Sequence, residues 1–250
     1  MTRVYLATAL RPGGLIELPA AAAAHLAKVL RARSGDELIM FSGDGSEFAG
    51  TVETVRGSQV WAMVGAGRGV DRESPLALTL VQCVPRGDRM DFIVQKSTEL
   101  GVARIVPVLS RRSVVRLDAG QAQTKSQHWR AVAASACEQC GRNRLPVIEA
   151  PRPLDAYLGE PAPQDSKPRP ARLLLDPDFK SNGATQPIGA AVEIAVGPEG
   201  GFAPEELEAF RISGFATLKL GPRILRTETA AIAAIACLQS RYGDLNESDA

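Results

Sequence analysis

The sequence contains little that would indicate a membrane or secreted protein. No run of about 18 apolar residues occurs, so no segment is expected to span a bilayer. The first residues, "MTRVYLATALRPGGL", have neither an apolar core nor a small-residue cleavage site, which are the marks of a secretory signal. We therefore expect a cytoplasmic protein.

Cysteine and histidine are too scarce for a disulfide framework or a recognisable zinc site. The four cysteines are Cys83, Cys137, Cys140 and Cys237. They lie in hydrophobic stretches, where reduced and mostly buried thiols are expected. Cys137 and Cys140 form a CxxC pair, but no second pair exists and the only histidines are His25 and His128. Two cysteines one turn apart on a helix are the simpler interpretation, and a metal or redox pair is the alternative.

The glycine patterns that bind nucleoside triphosphates and dinucleotides are also missing. GxxxxGK[ST] occurs nowhere, and "VGAGRGV" near Gly65 lacks both the GxGxxG spacing and a following helix. The net charge of +1 argues against a nonspecific polyanion binder, although it leaves room for local basic surfaces. The 45% of hydrophobic residues is typical of a globular protein with a real core.

Two patterns of hydrophobicity divide the sequence near residue 72. Residues 1–72 contain short alternating segments such as "DELIMFSG" and "QVWAMVGA" between Gly, Ser and Asp turns, which predicts a small β-barrel with one helix from about Ala20 to Arg31. Over residues 73–250, apolar strands alternate with helices, which predicts an α/β domain with a mainly parallel sheet.

The boundaries of several elements in the second domain can be read from the sequence. The strands are expected at "LALTLVQCV", "RIVPVL", "LPVIEA", "ARLLLD", "VEIAVG" and "ATLKLG". The helices are expected in "GDRMDFIVQKSTELG", at Lys125 to Cys140, near Pro204 to Ile212 and at Thr227 to Arg241. The proline-rich "GEPAPQDSKPRPA" is expected to form an exposed loop, because proline cannot join a β-ladder.

Two turns that follow strands are the strongest candidates for a binding site, because ligands of parallel α/β sheets bind beyond the carboxyl ends of the strands. The first is Gly197-Pro-Glu-Gly-Gly201, which precedes a helix at Pro204. Its glycines allow close approach of the backbone, and its proline stiffens the turn. The turn therefore suits an adenine or a carboxylate, and a merely tight turn is the alternative.

The second turn, "GPRILR", places Arg223 and Arg226 directly before an alanine-rich helix. Thr227 is predicted to be the N-cap of this helix, and Glu228 complements its dipole. The helix contains Ala230, Ala231, Ala233, Ala234 and Ala236. Small residues permit close packing, either in the core or against a second subunit.

Four segments together resemble one family: "HLAKVLRARSGDEL", "DFIVQKSTELGV", "VGPEGGF" and "LGPRILRTETA". They are similar to the 16S ribosomal RNA (uracil-N3) methyltransferases, the RsmE family of the SPOUT or trefoil-knot class, over nearly the whole chain. The resemblance implies a PUA-like RNA-binding β-barrel over residues 1–72 and a SPOUT methyltransferase domain with a deep trefoil knot over residues 73–250. It also implies a homodimer formed through the knotted domain, with the small ribosomal subunit as partner and without metal or membrane.

The resemblance further implies that S-adenosyl-L-methionine binds between the two turns and the end of the strand at Leu174 to Asp176. The expected cofactor-binding residues are Leu174, Leu175, Gly197, Pro198, Glu199, Gly200, Gly201, Leu220, Gly221, Ile224, Leu225 and Arg226.

Arg226, Glu199 and Glu228 are the expected catalytic residues of this reaction. The N3 proton of uracil must be lost, and an arginine can stabilise the negative charge that spreads onto the flanking carbonyl oxygens. Arg226 is the first candidate for that role. Glu199 and Glu228 are the nearby carboxylates for proton abstraction, although a loop-ordering hydrogen bond for Glu199 and dipole stabilisation for Glu228 are simpler interpretations.

Arginine, lysine and histidine residues in several segments are candidates for RNA binding. They are His25, Lys28, Arg31, Arg33, Arg111, Arg112, Arg142 and Arg144. The first three are spaced by three residues on the predicted first helix, where an ordinary solvated face is the alternative. Few aromatic residues accompany these groups, so contacts to phosphates and RNA shape are favoured over base stacking.

Other functions are compatible with parts of the pattern. A related knotted enzyme could methylate tRNA or a ribose 2′-hydroxyl with similar cofactor turns. A noncatalytic ribosome-assembly factor could keep the fold and bind RNA, although it would not need both turns. A dinucleotide-dependent oxidoreductase fits the α/β alternation, but the glycine-rich fingerprint is missing.

Overall fold

The computed structural model describes residues 1–160, 170–176 and 187–246. Contacts divide the chain into two compact units, of which the first comprises Met1–Glu73 and Ala134–Leu145. The second comprises Ser74–Ala133 and Pro146–Ala250. The sequence places its boundary after residue 72, next to this division, but its hydrophobic pattern does not signal that residues 134–145 return to the first unit.

The first unit contains a five-stranded mixed sheet. Its strands are β1 (Thr2–Tyr5), β2 (Leu15–Glu17), β3 (Glu37–Phe41), β4 (Ser46–Arg56) and β5 (Gln59–Gly69). They lie in the order β1-β3-β4-β5-β2, with β1 and β3 parallel and the other pairs antiparallel. The alternation seen in the sequence places one side of each strand in a core that includes Leu38, Val52 and Val60.

The helix of the first unit changes its winding halfway. α1 (Ala20–Ala24) continues as a π-helical segment over His25–Leu30, and Arg31 ends it with a φ of 52°. The N–H of Ala32 then donates to the carbonyl of Leu26, which closes the end of the segment. The sequence predicts the extent of this helix but not its wider turn, because the apolar pattern is too short to separate the two windings.

A buried carboxylate organises the charged residues of the first unit. Glu47 on β4 is only 1% exposed, and it accepts hydrogen bonds from Arg3 (2.9 Å), Arg68 (2.9 Å), Arg72 (3.2 Å) and the amide of Asn143 (3.2 Å). Burial by itself raises the pKa of Glu47, but the hydrogen bonds from Arg3, Asn143, Arg72 and Arg68 outweigh it and lower the pKa to about 2. The network therefore requires an ionised Glu47.

The second unit contains a seven-stranded, entirely parallel sheet. Its strands are β6 (Ala77–Cys83), β7 (Arg104–Leu109), β8 (Val147–Ile148), β9 (Arg152–Pro153), β10 (Ala171–Leu175), β11 (Ala191–Val196) and β12 (Ala216–Leu218). They lie in the order β12-β10-β11-β6-β7-β8, and β9 also pairs with β7. The central strand β6 has β7 on one side and β11 on the other.

Within the described ranges, five helices accompany this sheet. They are α2 (Arg89–Glu99), α3 (Ala119–Cys140), α4 (Leu154–Gly159), α5 (Pro204–Ile212) and α6 (Thr227–Tyr242). One face of the sheet packs on a cluster that includes Ile93 of α2 and Ile235 of α6. The opposite face packs on Phe202, Phe210 and Phe215, whose rings contact one another at centroid distances of 4.8 and 4.9 Å. Both faces are thus buried, as the apolar strands predict.

The structure corrects three details of the predicted elements. Helix α3 begins at Ala119 rather than Lys125, because the side chains of Asp118 and Gln121 each accept the backbone N–H of the other. The short α4 was not predicted. Thr227 is not an N-cap: Arg226 occupies that position, without a side-chain cap, and Thr227 is the first helical residue.

Other predictions concern the surface and the cysteines. The predicted loop "GEPAPQDSKPRPA" lies mostly at residues 161–169, outside the described residues. Cys83 and Cys137 are buried, Cys140 is half-buried and Cys237 is exposed, and none of these four described residues forms a disulfide. Within the described ranges, no cluster of three or more metal-ligating side chains occurs, and no helix has the length and hydropathy to cross a membrane.

Candidate active site

A cavity of about 420 Å³ lies at the carboxyl ends of β10, β11 and β12. Three segments form its wall: the end of β10 at Leu175 and Asp176, the glycine loop (Gly197–Gly201) and the arginine loop (Leu220–Arg226). The remaining lining residues are Arg112, Val196, Phe202, Leu207, Leu218, Lys219, Thr227 and Ala230. The wall therefore combines apolar side chains at the strand ends, such as Leu175, Val196 and Leu218, with charged ones, such as Asp176, Arg223 and Arg226.

The glycine loop needs glycine at two of its positions. A Cβ at Gly197 would lie 3.1 Å from the ring of Phe202, closer than an ordinary contact. Gly201 has a φ of 65°, in the left-handed region, and its N–H donates to the carbonyl of Pro198 at 2.9 Å. The loop is thus a tight turn whose backbone faces the cavity.

Residues from two segments that follow β6 and β7 hold the glycine loop in place. Oε1 of Glu199 accepts hydrogen bonds from the guanidinium of Arg89 (2.5 Å) and from the N–H of Arg86 (3.3 Å), both in the segment that follows β6. The guanidinium of Arg112, which follows β7, donates to the carbonyl of Gly200 at 3.0 Å. Nε of Arg89 also lies 4.0 Å from Oε1 of Glu228. Arg89 therefore connects the two carboxylates that the sequence proposes as bases.

A third tether comes from the start of α6. The hydroxyl of Thr227 donates to the carbonyl of Gly197 at 2.7 Å. The amide of Gln82, at the end of β6, donates to the same hydroxyl at 2.9 Å. Thr227 is therefore drawn toward the glycine loop, which explains why its hydroxyl does not cap the helix.

The arginine loop presents unpaired donors and cations. Gly221 has a φ of 69°, and the N–H groups of Gly221, Arg223, Ile224 and Leu225 make no hydrogen bond with another described residue. The guanidinium groups of Arg223 and Arg226 likewise have no partner within the described part of the chain, and both are exposed. Backbone donors and cations left open in this way are suited to an anionic or acceptor-rich ligand.

The helix after the glycine loop is capped from within. Glu206, which is buried, accepts the N–H of Ala203 on Oε2 and the N–H of Arg111 on Oε1, both at 2.8 Å. The first bond is the half of a capping box that the N3 glutamate supplies, whereas the other half, a side-chain acceptor at the N-cap, is missing because Ala203 has no hydroxyl. The second bond fixes the loop after β7 beside the start of α5.

The cavity gathers every predicted cofactor-binding residue except Leu174. Leu174 packs on the opposite face of the sheet with Val81 and Ala195, because successive strand residues point to opposite faces. Of the predicted catalytic residues, Arg226 and Glu199 line the cavity. Glu228 does not line it, and its Oε2 is buried without a partner among the described residues.

Sequence reasoning missed Arg89, Gln82 and the role of Thr227. Gln82 and Arg89 lie at or just beyond the carboxyl end of β6, which is the position where a ligand-binding residue of a parallel sheet is expected. Gln82 did not stand out as a candidate because it lies in the apolar segment "LALTLVQCV". Arg89 did not because it lies at the start of a segment with a helical pattern.

Most predicted RNA-binding residues are exposed. His25, Lys28, Arg31, Arg33 and Arg144 are exposed in the first unit. In the second unit Arg111 is exposed near Glu205 (3.6 Å), and Arg112 holds Gly200 as described. Arg142 is the exception, because it is buried.

Arg142 is buried, and it forms an ion pair with Glu73 inside the first unit. This places its side chain away from solvent, contrary to the expectation of a phosphate contact. The carboxylate partner lies 69 residues away in the chain, so no local pattern signals the pair.

Family models match both parts of the chain. An RNA methyltransferase domain model matches residues 72–239, and an RNA methyltransferase PUA domain model matches residues 18–62. Ribosomal RNA small subunit methyltransferase E of Buchnera aphidicola subsp. Schizaphis graminum is 32% identical over 98% of both chains. The enzyme of the same name from Bacillus subtilis is 32% identical over 86% of this chain and 85% of its own.

Solved structures agree with these relatives. Ribosomal RNA small subunit methyltransferase E from Neisseria gonorrhoeae, bound to S-adenosyl methionine, is 36% identical with a TM-score of 0.86 over 98% of this chain and all of its own. Lpg2936 from Legionella pneumophila, in complex with the bound cofactor SAM, is 39% identical with a TM-score of 0.88 over 97% and 98% of the two chains. The chain therefore belongs to the ribosomal RNA small subunit methyltransferase E family, with a PUA domain followed by an RNA methyltransferase domain of the SPOUT type.

Proposed function

We propose that the protein transfers the methyl group of S-adenosyl-L-methionine to the N3 atom of one uridine in the 16S RNA of the small ribosomal subunit. The observation that carries this proposal is the cavity between the glycine loop and the arginine loop, with unpaired backbone donors and the free guanidinium of Arg226. Relatives that bind S-adenosyl methionine support the choice of cofactor. Such a substrate implies action in the cytoplasm.

The lining residues fit this cofactor. A volume of about 420 Å³ falls within the range of small-molecule sites, roughly 300–1,000 Å³. Leu175, Val196 and Leu218 offer an apolar surface to adenine. The open N–H groups of the arginine loop can donate to the ring nitrogens, and Ile224, whose side chain is 82% exposed, is free to pack on a ligand.

The bound cofactor supplies an electrophilic methyl group on its sulfonium. Arg226 lies at the rim of the cavity, where its guanidinium can stabilise the charge that develops on the uracil carbonyl oxygens as N3 loses its proton. It is free to do so because no described residue already binds it. Alignment of the two reacting atoms by the fixed loops supplies part of the remaining acceleration through proximity.

Of the two carboxylates, we propose Glu199 as the one that accepts the N3 proton. It lines the cavity, and the described contacts of its side chain all use Oε1, which leaves Oε2 open. Glu228 lies outside the lining and orients Arg89. Because the guanidinium of Arg89 holds Glu199, this carboxylate keeps a fixed direction toward the substrate.

RNA binding is assigned to exposed basic residues on each unit. In the PUA unit these are His25, Lys28, Arg31, Arg33 and Arg144, and in the methyltransferase unit they are Arg111 and Arg112. Contacts of this kind position a phosphate backbone without reading bases. Uridine selection then takes place in the cavity itself.

We also propose that the protein is a homodimer through α6 of the knotted domain. Thr229, Cys237 and Ser240 are exposed on this helix, and Ala233 and Ala236 are half-buried, so a second copy could approach closely. Cys237 allows a direct test, because a short bifunctional maleimide should link two copies. A Cys237→Ser variant is the control, and sedimentation as a monomer would contradict the dimer.

The experiment for the reaction uses labelled S-adenosylmethionine with unmodified small ribosomal subunits, naked 16S RNA and tRNA. Each RNA is then digested to nucleosides. We expect N3-methyluridine from 16S RNA. Label in 2′-O-methylated nucleosides, or in tRNA alone, would assign the protein to another methylation reaction of the same fold.

A further inference from the structure

The amide of Gln82 is completely buried behind the glycine loop. It lies at the end of the central strand β6 and is 0% exposed. Its Nε2 donates to two acceptors, the carbonyl of Cys83 and the hydroxyl of Thr227, both at 2.9 Å. A polar group buried in an otherwise apolar strand costs free energy unless hydrogen bonds compensate for its loss of water.

These bonds fix the direction of the Thr227 hydroxyl. The carbonyl of Cys83 can only accept, so the amino group of Gln82 must face it and must also face Thr227. The hydroxyl oxygen of Thr227 therefore accepts, and its single proton is directed to the carbonyl of Gly197 at 2.7 Å. The orientation of the whole chain of bonds is thus set by the backbone of β6.

This series of hydrogen bonds joins the two loops of the cavity. Gly197 is the first residue of the glycine loop, and Thr227 directly follows Arg226 at the end of the arginine loop. Gly197 and Thr227 line the cavity, whereas Gln82 does not. The separation of the two loops is thereby tied to a rigid central strand.

We propose that Gln82 is a positioning residue for methyl-donor binding, acting through the Thr227 hydroxyl to hold the glycine loop and the arginine loop at the separation that the donor requires. The inference rests on the proposed function, because it assumes that S-adenosylmethionine binds in this cavity. Oε1 of Gln82 is buried without a partner among the described residues, so the hydrogen bonds of this amide to them are made by its donor group.

The test compares Gln82→Met and Thr227→Val with two matched controls. Gln239 is also 0% exposed, and its amide also makes two bonds, with Ser74 and the carbonyl of Leu100, so Gln239→Met removes a similar group outside the cavity. Thr98 is likewise 0% exposed and bonds the carbonyl of Val94, so Thr98→Val is the control for Thr227→Val.

Two quantities are measured on each variant of the full chain. One is the dissociation constant of S-adenosylmethionine by calorimetry, and the other is amide hydrogen exchange of Gly197–Gly201 in the donor-free protein. We expect Gln82→Met and Thr227→Val each to weaken binding by roughly three- to tenfold and to speed exchange of the loop. The double variant should bind S-adenosylmethionine no more weakly than the weaker-binding single variant, because both substitutions interrupt the same series of hydrogen bonds. Thr227→Ser, which keeps the hydroxyl, should bind like the parent.

The controls should lower the melting temperature while leaving donor affinity within about twofold of the parent. The proposal is overturned if Gln82→Met keeps parental affinity and exchange, if the controls weaken binding equally, or if the two site variants are additive. If the parent itself does not bind S-adenosylmethionine, the proposed function fails. Amide hydrogen exchange of Gly197–Gly201 in the donor-free variants would still show whether Gln82 holds the glycine loop.

Discussion

Replacing Glu47 by glutamine should destabilise the first unit by an amount that can be worked out from its hydrogen bonds. The substitution keeps the shape of the side chain and mimics its protonated form. The difference between the ordinary pKa of 4.5 and the folded value of about 2 corresponds to about 3 kcal/mol at neutral pH. Loss of one partner from a buried ion pair typically costs about 3–5 kcal/mol, in the same range.

The pH dependence of this loss has a definite sign. A carboxylate whose pKa is lowered by folding contributes stability above its unfolded pKa and loses it as the pH falls toward the folded value. The difference between the parent and Glu47→Gln should therefore be nearly constant from pH 7 to about 4.5. It should then shrink toward zero between about pH 4.5 and 2.

Urea unfolding followed by tryptophan emission measures this difference. The two tryptophans lie in different units, Trp61 on β5 of the first and Trp129 on α3 in the second, so a Trp129→Phe background reports the first unit alone. Glu53→Gln, at an exposed position of the same strand, is the control and should change little. A loss below about 1 kcal/mol at pH 7, or one that does not change between pH 5 and 3, would refute the role given to Glu47.

Three further substitutions test the cavity, the RNA surface and the cap of α5. Arg226→Ala should reduce methyl transfer by about 10²- to 10³-fold, because it removes charge stabilisation. Its melting temperature should stay close to that of the parent, since the side chain is exposed; near-normal turnover would remove Arg226 from the mechanism. Lys28→Glu with Arg31→Glu should weaken RNA binding and flatten its salt dependence without changing donor affinity. RNA affinity equal to the parent at several salt concentrations would leave that helix face as ordinary solvated surface. Glu206→Ala should lower the free energy of unfolding by about 1–2 kcal/mol in urea titrations, because the N–H groups of Ala203 and Arg111 lose their acceptor. An unchanged midpoint would show that solvent replaces the carboxylate.

The elements that the sequence predicts well are those whose signals are local. Helix α5 begins at Pro204 and ends at Ile212 as expected, because proline at the first turn and acidic residues beside it mark its start. Helix α6 extends one residue beyond the predicted Arg241. The two cavity loops were predictable for the same reason, since each follows a strand directly in the sequence.

The features that the sequence did not predict depend on residues distant in the chain. From the sequence alone Arg142 is interpreted as a surface cation, whereas the structure pairs it with Glu73. Thr227 reads as a helix cap until its hydroxyl is found bonded to Gly197, 30 residues earlier. Gln82 reads as one polar residue in a buried strand. Partners of this kind are selected by tertiary packing, which periodicity and local propensity do not encode.

The most direct test of the central claim is to locate the methyl group. Unmodified small ribosomal subunits are incubated with the protein and S-adenosylmethionine, and the 16S RNA is then copied by reverse transcriptase. A methyl group on N3 blocks normal base pairing of uracil, so the proposed reaction predicts one new stop at a single uridine near the 3′ end, which disappears with Arg226→Ala. Transfer to the RNA without a stop, or transfer to tRNA alone, would contradict methylation at N3 of 16S uridine.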